Sequence, residues 1–245
     1  MFKIFQRSKT TEEDYSFLAT DIHAHFIFGI DDGAPDMETA IELVKKMQQL
    51  GFSRLIGTPH IMAEVHRNSP ETITPPLQQL QAHFKTSPPI TGAAEYMLDE
   101  NFMQVVRNDR LLPLFKNVVL VEQSYLQESR YLKQGLFEMQ AKGYRPLLAH
   151  PERYNFYPIE TTMWEELKDL NCLFQLNLLS LTDYYGPMVR KKALHLLKLG
   201  LYDYAGTDAH HLRHLQGLDM LRKDKKMMQR LVDYPFKNKD IRFDA

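Results

Sequence analysis

His23-Ala24-His25 closes the apolar run Phe17 to Ile22 and is followed by Asp31-Asp32-Gly33. Alternate residues of a strand point to one face, so an H-x-H pair at a strand end sets two imidazoles side by side, able to grip one ion where the strand meets a cavity. The arrangement recurs along the chain. Ser53 to Thr58 reads as a short strand ending in Pro59-His60, Ile90 to Ala94 ends in Glu95, and Asn117 to Val121 ends in Glu122. Arg145 to Ala149 ends in His150-Pro151-Glu152-Arg153, and Tyr202 to Ala205 leads into Gly206-Thr207-Asp208-Ala209-His210. Only Cys172 to Leu176 departs, ending in Asn177, which is polar but a poor ligand. Imidazoles and carboxylates in this mixture suit Mn, Fe or Zn better than Mg, which prefers oxygen. These residues exceed the needs of one ion, so two or three ions sharing a bridging Glu95 are expected. Two ions on the order of 4 Å apart clamp a phosphate, lower the pKa of a shared water and neutralise the leaving oxygen, which is hydrolytic chemistry.

The elements between these strands read as helices. Asp36 is an N-cap, Ile41, Val44, Met47 and Leu50 form an apolar stripe, and Gly51 is the residue favoured just past a helix end. A second helix, opened by Thr74-Pro75-Pro76, covers Leu77 to Phe84, and another runs from Ser129 to Lys142 and is closed by Gly143. Strands alternating with helices pair in parallel through right-handed crossovers. About seven such units suit a closed (β/α) barrel, whose active site lies at the carboxyl ends of the strands. An open doubly wound sheet would spread those ends along a line and keep them apart.

Composition agrees with one compact, soluble enzyme domain. The 245 residues are 44% hydrophobic and 25% charged with a formal net charge of -1, enough for one core and without electrostatic bias towards nucleic acid or an anionic membrane. The single cysteine, Cys172, excludes an internal disulfide and suits a reducing, cytoplasmic compartment. No apolar stretch approaches the roughly 18 residues of a membrane span, and the apolar part of the first seven residues is too short for a signal peptide. Residues 1 to 16 are expected to be a flexible tail, and 17 to 245 a single domain. A lone histidine is more often hydrogen-bonded or at the surface than a ligand, and His83, His195 and His214 are read so. Arg67 and Asn68 read as a solvated loop, Ala193, Leu194 and Leu197 as core, and Asn177 as an amide that either orients a ligand or merely closes a turn.

In combination the motifs resemble a known superfamily. H-x-H with Asp-Asp-Gly close behind, Thr-Pro-His, Gly-Ala-Ala-Glu, Val-Glu, Ala-His-Pro-Glu-Arg-Tyr and Thr-Asp-Ala-His, in this order, are similar to the PHP (polymerase and histidinol phosphatase) proteins. More narrowly, Asp21 to His25 with Asp31-Asp32-Gly33, and Pro146 to Tyr154, resemble the bacterial metal-dependent protein-tyrosine phosphatases encoded with capsule and exopolysaccharide genes. The likeness spans residues 21 to about 215 and fades past about 220. It implies a distorted seven-stranded barrel, a trinuclear site usually described with manganese, and hydrolysis of phosphotyrosine on the tyrosine-rich tail of a partner kinase. Carried over by position, it puts His23, His25, Glu95 and Asp208 on one ion, Asp32, His60 and His210 on a second, and Glu95, Glu122 and His150 on a third. Arg153 matches a phosphate-binding arginine whose removal should leave the metals in place, and Arg213 is the candidate for a second. A small-molecule phosphoesterase of the histidinol-phosphate kind would use the same metals. A non-catalytic regulatory domain would lack ligands, and none is missing.

Overall fold

The structure is a computed structural model describing residues 14–242. In chain order it contains β1 (Thr20–Ala24), α1 (Met37–Gln49), β2 (Arg54–Gly57), β3 (His60–Ile61), α2 (Pro70–His83), β4 (Ile90–Gly92), β5 (Glu95–Met97), α3 (Glu100–Arg107) and β6 (Val118–Glu122). There follow α4 (Leu132–Ala141), β7 (Arg145–Ala149), α5 (Met163–Asp169), β8 (Leu173–Asn177), α6 (Pro187–Lys198), β9 (Tyr204–Gly206), α7 (Leu212–Leu221) and α8 (Lys225–Val232).

Every strand pairing is parallel, as the alternation of strands and helices requires. The expected closed barrel is not what forms. The strands make two sheets, one ordered β1-β2-β4 and one ordered β3-β5-β6-β7-β8-β9. The reason lies just past the ends of two expected strands, where the chain breaks and a further short strand begins in the other sheet. Thr58-Pro59 separates β2 from β3, and Ala93-Ala94 separates β4 from β5; Pro59 has no N–H to continue a ladder. Across the breaks Ala93 N still donates to Gly57 O (2.8 Å) and Glu95 N to Pro59 O (3.1 Å). At the other junction His25 N donates to Ala209 O (2.9 Å) and Asp208 N to His23 O (2.7 Å), so the first strand lies against the segment leaving the last.

Strand periodicity carries apolar residues into the interior and polar ones to the carboxyl ends. On β6, Val118 and Leu120 join one buried cluster with Ile22, Ile56, Leu147 and Ala149, while Val119 and Val121 join the larger cluster. Glu122 lies one alternation beyond Leu120, on the same face. The helices begin where backbone donors find acceptors. Asp36 accepts from Thr39 N (2.8 Å), Asp99 from Phe102 N (2.8 Å) and Asp224 from Met227 N (3.0 Å). Gly51 adopts φ +106°, as a residue just beyond a helix end must.

Several boundaries differ from the sequence reading. The second helix starts at Pro70, because Ser69 and Thr72 form a capping box, and Pro75 and Pro76 lie inside it. The first strand starts at Thr20 and not at Phe17, since Tyr15–Phe17 is a 3-10 turn and Ala19 has φ 60°. Residues 1–13 of the expected tail lie outside the described residues, whereas Asp14 to Ser16 are built into the fold: the buried Tyr15 stacks on Phe52 and donates to Leu218 O (3.0 Å). Ala193 and Leu197 are buried, and Leu194 packs against the same core. Among the described residues no helix is long and apolar enough to cross a membrane.

Candidate metal centre

Residues separated by up to 187 positions meet where these strands and their loops end. Three groups of ligand atoms form: His23, His25, Glu95 and Asp208; His25, Asp32, His60 and His210; and His60, Glu95 and Glu122. Within each group the atoms lie within 4.8 Å of one another. Glu95 Oε2 stands 3.1 Å from His23 Nε2, 3.1 Å from His60 Nδ1 and 3.4 Å from His25 Nε2. Asp208 Oδ1 is 3.3 and 3.4 Å from the same two nitrogens of His23 and His25. Glu95 and His60 occupy opposed register positions at the start of β5 and β3, placed there by the breaks that split those strands.

The first two groups reproduce the sets expected for two of the ions, with His25 added to the second. The third differs: His60 stands with the two glutamates, its Nδ1 2.9 Å from Glu122 Oε1. His150 joins from the far side, with Nε2 3.1 Å from Glu95 Oε1. Most of these side chains are buried. Asp32 is 60% exposed and marks where the centre opens to solvent.

The atoms facing one another are lone pairs, and this is the observation that fits a cation. His23 Nε2 and His25 Nε2 are 3.2 Å apart, too close for both to carry a proton towards the same point. Glu95 Oε2, both carboxylate oxygens of Glu122, His60 Nδ1 and His150 Nδ1 are buried without a well-directed hydrogen bond. Without an ion, protons must compensate the carboxylates. Burial works against ionised Glu95, but His23, His60 and His150 around it outweigh this and hold it well below the usual carboxylate range. Asp208 is likewise held low, burial being overcome by His23, His210, His25 and Arg153. Burial and the neighbouring His25 push the His60 imidazole down, yet Glu122 and Glu95 leave it raised to about 9. Divalent cations bound at these atoms would replace those protons.

Residues around the ligands fix which ring nitrogen is free. His25 Nδ1 lies 2.8 Å from Asp31 Oδ2, His23 Nδ1 3.1 Å from Gln175 Oε1, and His210 Nδ1 3.0 Å from the Asp208 carbonyl. Each ring thereby donates from Nδ1 and leaves Nε2 with a free lone pair facing the cluster. Asp31 also accepts from Gly33 N (3.0 Å) and His60 N (3.2 Å), and Gly33 is itself required: a Cβ there would stand 2.0 Å from His25 O. Neither Asp31 nor Gln175 has an assigned role in the sequence reading. Asp31 sits inside the quoted Asp-Asp-Gly, and Gln175 alternates with Asn177 on β8, a polar pair in an otherwise apolar strand that could have signalled it. Asn177 Nδ2 donates to Asp208 Oδ2 (2.8 Å), a residue of the cluster. Asn68 is no free loop residue, since its Nδ2 donates to Ile30 O (2.7 Å) and His60 O (2.9 Å).

The two arginines separate. Arg153 Nη1 donates to Asp208 Oδ2 (2.5 Å), on the oxygen opposite the one facing the histidines, and its side chain is 18% exposed. Its guanidinium lies between the rings of Tyr125 and Tyr185, 4.6 and 4.2 Å from their centroids. Arg213, on the first turn of α7, is exposed and makes no ion pair or hydrogen bond among the described residues, and its charge bears on His211, the neighbour of His210. His83 is exposed and His195 half-buried on α6. His214 is buried beside the centre, where burial and His211 lower it to about 4, and its Nδ1 accepts from His210 N (3.2 Å).

A parallel α/β frame that delivers histidines and carboxylates to one buried, lone-pair-lined centre beside an arginine defines a class: metal-centred α/β proteins built to hold an anionic substrate. A family model described as capsular polysaccharide synthesis, CpsB/CapC, matches residues 19–233. The chain belongs to the CpsB/CapC family. It is 27% identical to the tyrosine-protein phosphatase YwqE of Bacillus subtilis over 197 residues, covering 79% of this chain and 78% of that protein. To the putative tyrosine-protein phosphatase CapC of Staphylococcus aureus it is 26% identical over 222 residues, 87% of each chain. A solved chain from the crystal structures of YwqE from Bacillus subtilis and CpsB from Streptococcus pneumoniae, described as unique metal-dependent tyrosine phosphatases, aligns with a TM-score of 0.74 and 25% identity over 89% of this chain and 94% of that one.

Proposed function

We propose that this chain is a metal-dependent protein-tyrosine phosphatase acting in the cytoplasm on the phosphorylated tail of a kinase that regulates capsule or exopolysaccharide synthesis. The observation that carries the chemistry is the set of unpartnered buried lone pairs around Glu95, set beside Arg153. His23, His25, Asp32, His60, Glu95, Glu122, His150, Asp208 and His210 would hold two or three divalent ions, with manganese the first choice for a mixed imidazole and carboxylate set. Such ions supply Lewis acidity and an activated water for phosphomonoester hydrolysis.

The chain's own residues do the rest. Arg153 keeps N–H donors beyond the one given to Asp208, and a planar guanidinium can meet two phosphate oxygens at once. Asn177 and Arg153 together fix one oxygen of Asp208, which leaves the other to the ligand cluster. The kinase tail is favoured by the relatives named above and by the open rim, where Asp32 and Tyr125 (43% exposed) stand at the surface and not under a lid.

The test combines elemental analysis of active protein, metal-loaded without chelator, with turnover on phosphotyrosine peptide, phosphoserine peptide and histidinol phosphate. Two or three ions per chain and a preference for the aryl ester are expected, because the tyrosine phenol, with a pKa of about 10, is a far better leaving group than a serine alkoxide. At most one ion, equal rates on the two peptides, or faster turnover of histidinol phosphate would refute the reading.

A further inference from the structure

Arg153 is the only cation beside the ligand cluster that lies between two aromatic rings among the described residues. Tyr125 comes from the loop after β6 and Tyr185 from the loop before α6, so two separate segments converge on one guanidinium. Neither ring is loosely placed. Tyr125 stacks on His150 (centroids 5.8 Å apart, planes at 29°), with its hydroxyl 3.5 Å from His150 Nε2. The Tyr185 hydroxyl accepts from Asn177 Nδ2 at 3.4 Å, and that same amide donates to Asp208. Both rings are thus tied to residues of the centre itself.

A guanidinium offers hydrogen bonds only in its plane, and its faces are weakly hydrated and stack on aromatic rings. With two rings stacked against the Arg153 guanidinium, rotation out of its plane would cost those contacts, and its N–H edge is held at Asp208. From this we infer that Tyr125 and Tyr185 are positioning residues: a two-ring clamp that presets the plane of Arg153, so that an arriving phosphate meets an oriented fork. Preset donors spare the cost of immobilising a long side chain on binding. The inference rests on the reading of Arg153 as the phosphate-binding arginine.

The experiment measures binding of inorganic phosphate to metal-loaded protein by calorimetry, with metal content and thermal unfolding recorded on the same samples. Kinetics on phosphotyrosine peptide accompany it. The variants are Tyr125→Phe, Tyr185→Phe, Tyr125→Leu, Tyr185→Leu, Arg153→Ala, and each Leu change combined with Arg153→Ala. The Phe variants keep the ring and should bind phosphate within about 3-fold of the wild type, whereas each Leu variant should bind roughly 3-fold to 30-fold more weakly with its metals retained. The rise should appear in KM more than in kcat. In the Arg153→Ala background the Leu changes should have no further effect, a non-additivity that a merely structural tyrosine would not show. Leu variants that bind phosphate normally while Arg153→Ala weakens it would overturn the clamp alone. Unchanged phosphate binding in Arg153→Ala would overturn the assignment of Arg153, and the clamp with it.

Discussion

Replacing Asp31 by Asn removes a charge without removing bulk and strikes at the tautomer of His25. The carboxylate accepts on both oxygens: Oδ2 from His25 Nδ1 (2.8 Å) and from His60 N (3.2 Å), Oδ1 from Gly33 N (3.0 Å). Asn has one oxygen and one NH2 at those two places. If the NH2 faces His25, the ring must accept at Nδ1 and carry its proton on Nε2, the nitrogen that stands 3.4 Å from both Glu95 and Asp208. If the NH2 faces Gly33, two donors oppose each other, at a cost of about 1 to 3 kcal/mol. Partners of metal-bound histidines are typically worth about 10-fold to 100-fold in metal affinity, which is about 1.4 to 2.7 kcal/mol. Both routes therefore lead to weaker metal binding by at least roughly 10-fold. The assay is titration of metal-free protein with Mn2+ in competition with a chromophoric chelator, with circular dichroism as the check on folding. Asp36→Asn serves as the control, since Asp36 caps α1 and Asn caps equally well. An Asp31→Asn protein that is folded and binds Mn2+ within twofold of the wild type would refute the tautomer argument.

Three further outcomes follow from the same geometry. Arg153→Ala should lose about 30-fold to 1000-fold in turnover, or about 2 to 4 kcal/mol, with Arg153→Lys partly restored; because Nη1 is bonded to Asp208, a modest fall in metal affinity is the expected side effect, and kinetics with metal analysis on one preparation check both. Gly33→Ala should give little folded protein, since its Cβ would meet the His25 backbone oxygen at 2.0 Å and cannot be relieved by a rotamer change, as expression yield and thermal unfolding would report. Lys192 is buried, donates to Tyr154 O (2.6 Å), and is lowered by burial to about 8 despite Glu152; the folded lysine therefore binds fewer protons than the unfolded one between about 8 and 10.5, stability rises with pH across that window, and denaturant unfolding at pH 8 and 9.5 should show a gain on the order of 1.5 kcal/mol in the wild type but not in Lys192→Met.

How much of this centre could be seen beforehand depends on what each residue needs. Metal ligation calls for residue types that are unusual at the end of an apolar run, so His23, Glu122, His150 and Asp208 stand out from sequence alone, and each does reach the cluster. The residues that orient them are chemically ordinary. Gln175 bonds His23 across 152 positions, and its alternation with Asn177 marks it only as polar in an apolar strand, not which residue it orients. Tyr125 and Tyr185 likewise read as loop aromatics until Arg153 is found between them. Periodicity located β2 and β4 but could not reveal the short strands β3 and β5 that start just beyond them in the other sheet; Pro59 is the only local sign of the break. Those breaks are what bring His60 and Glu95 side by side at the start of new strands, each within 3.1 Å of the other. An unbroken strand would point successive residues alternately to opposite faces and carry the chain straight past the centre. The departure from a closed sheet and the position of Glu95 thus have one cause, which is why the residue types were legible while the architecture that unites them was not.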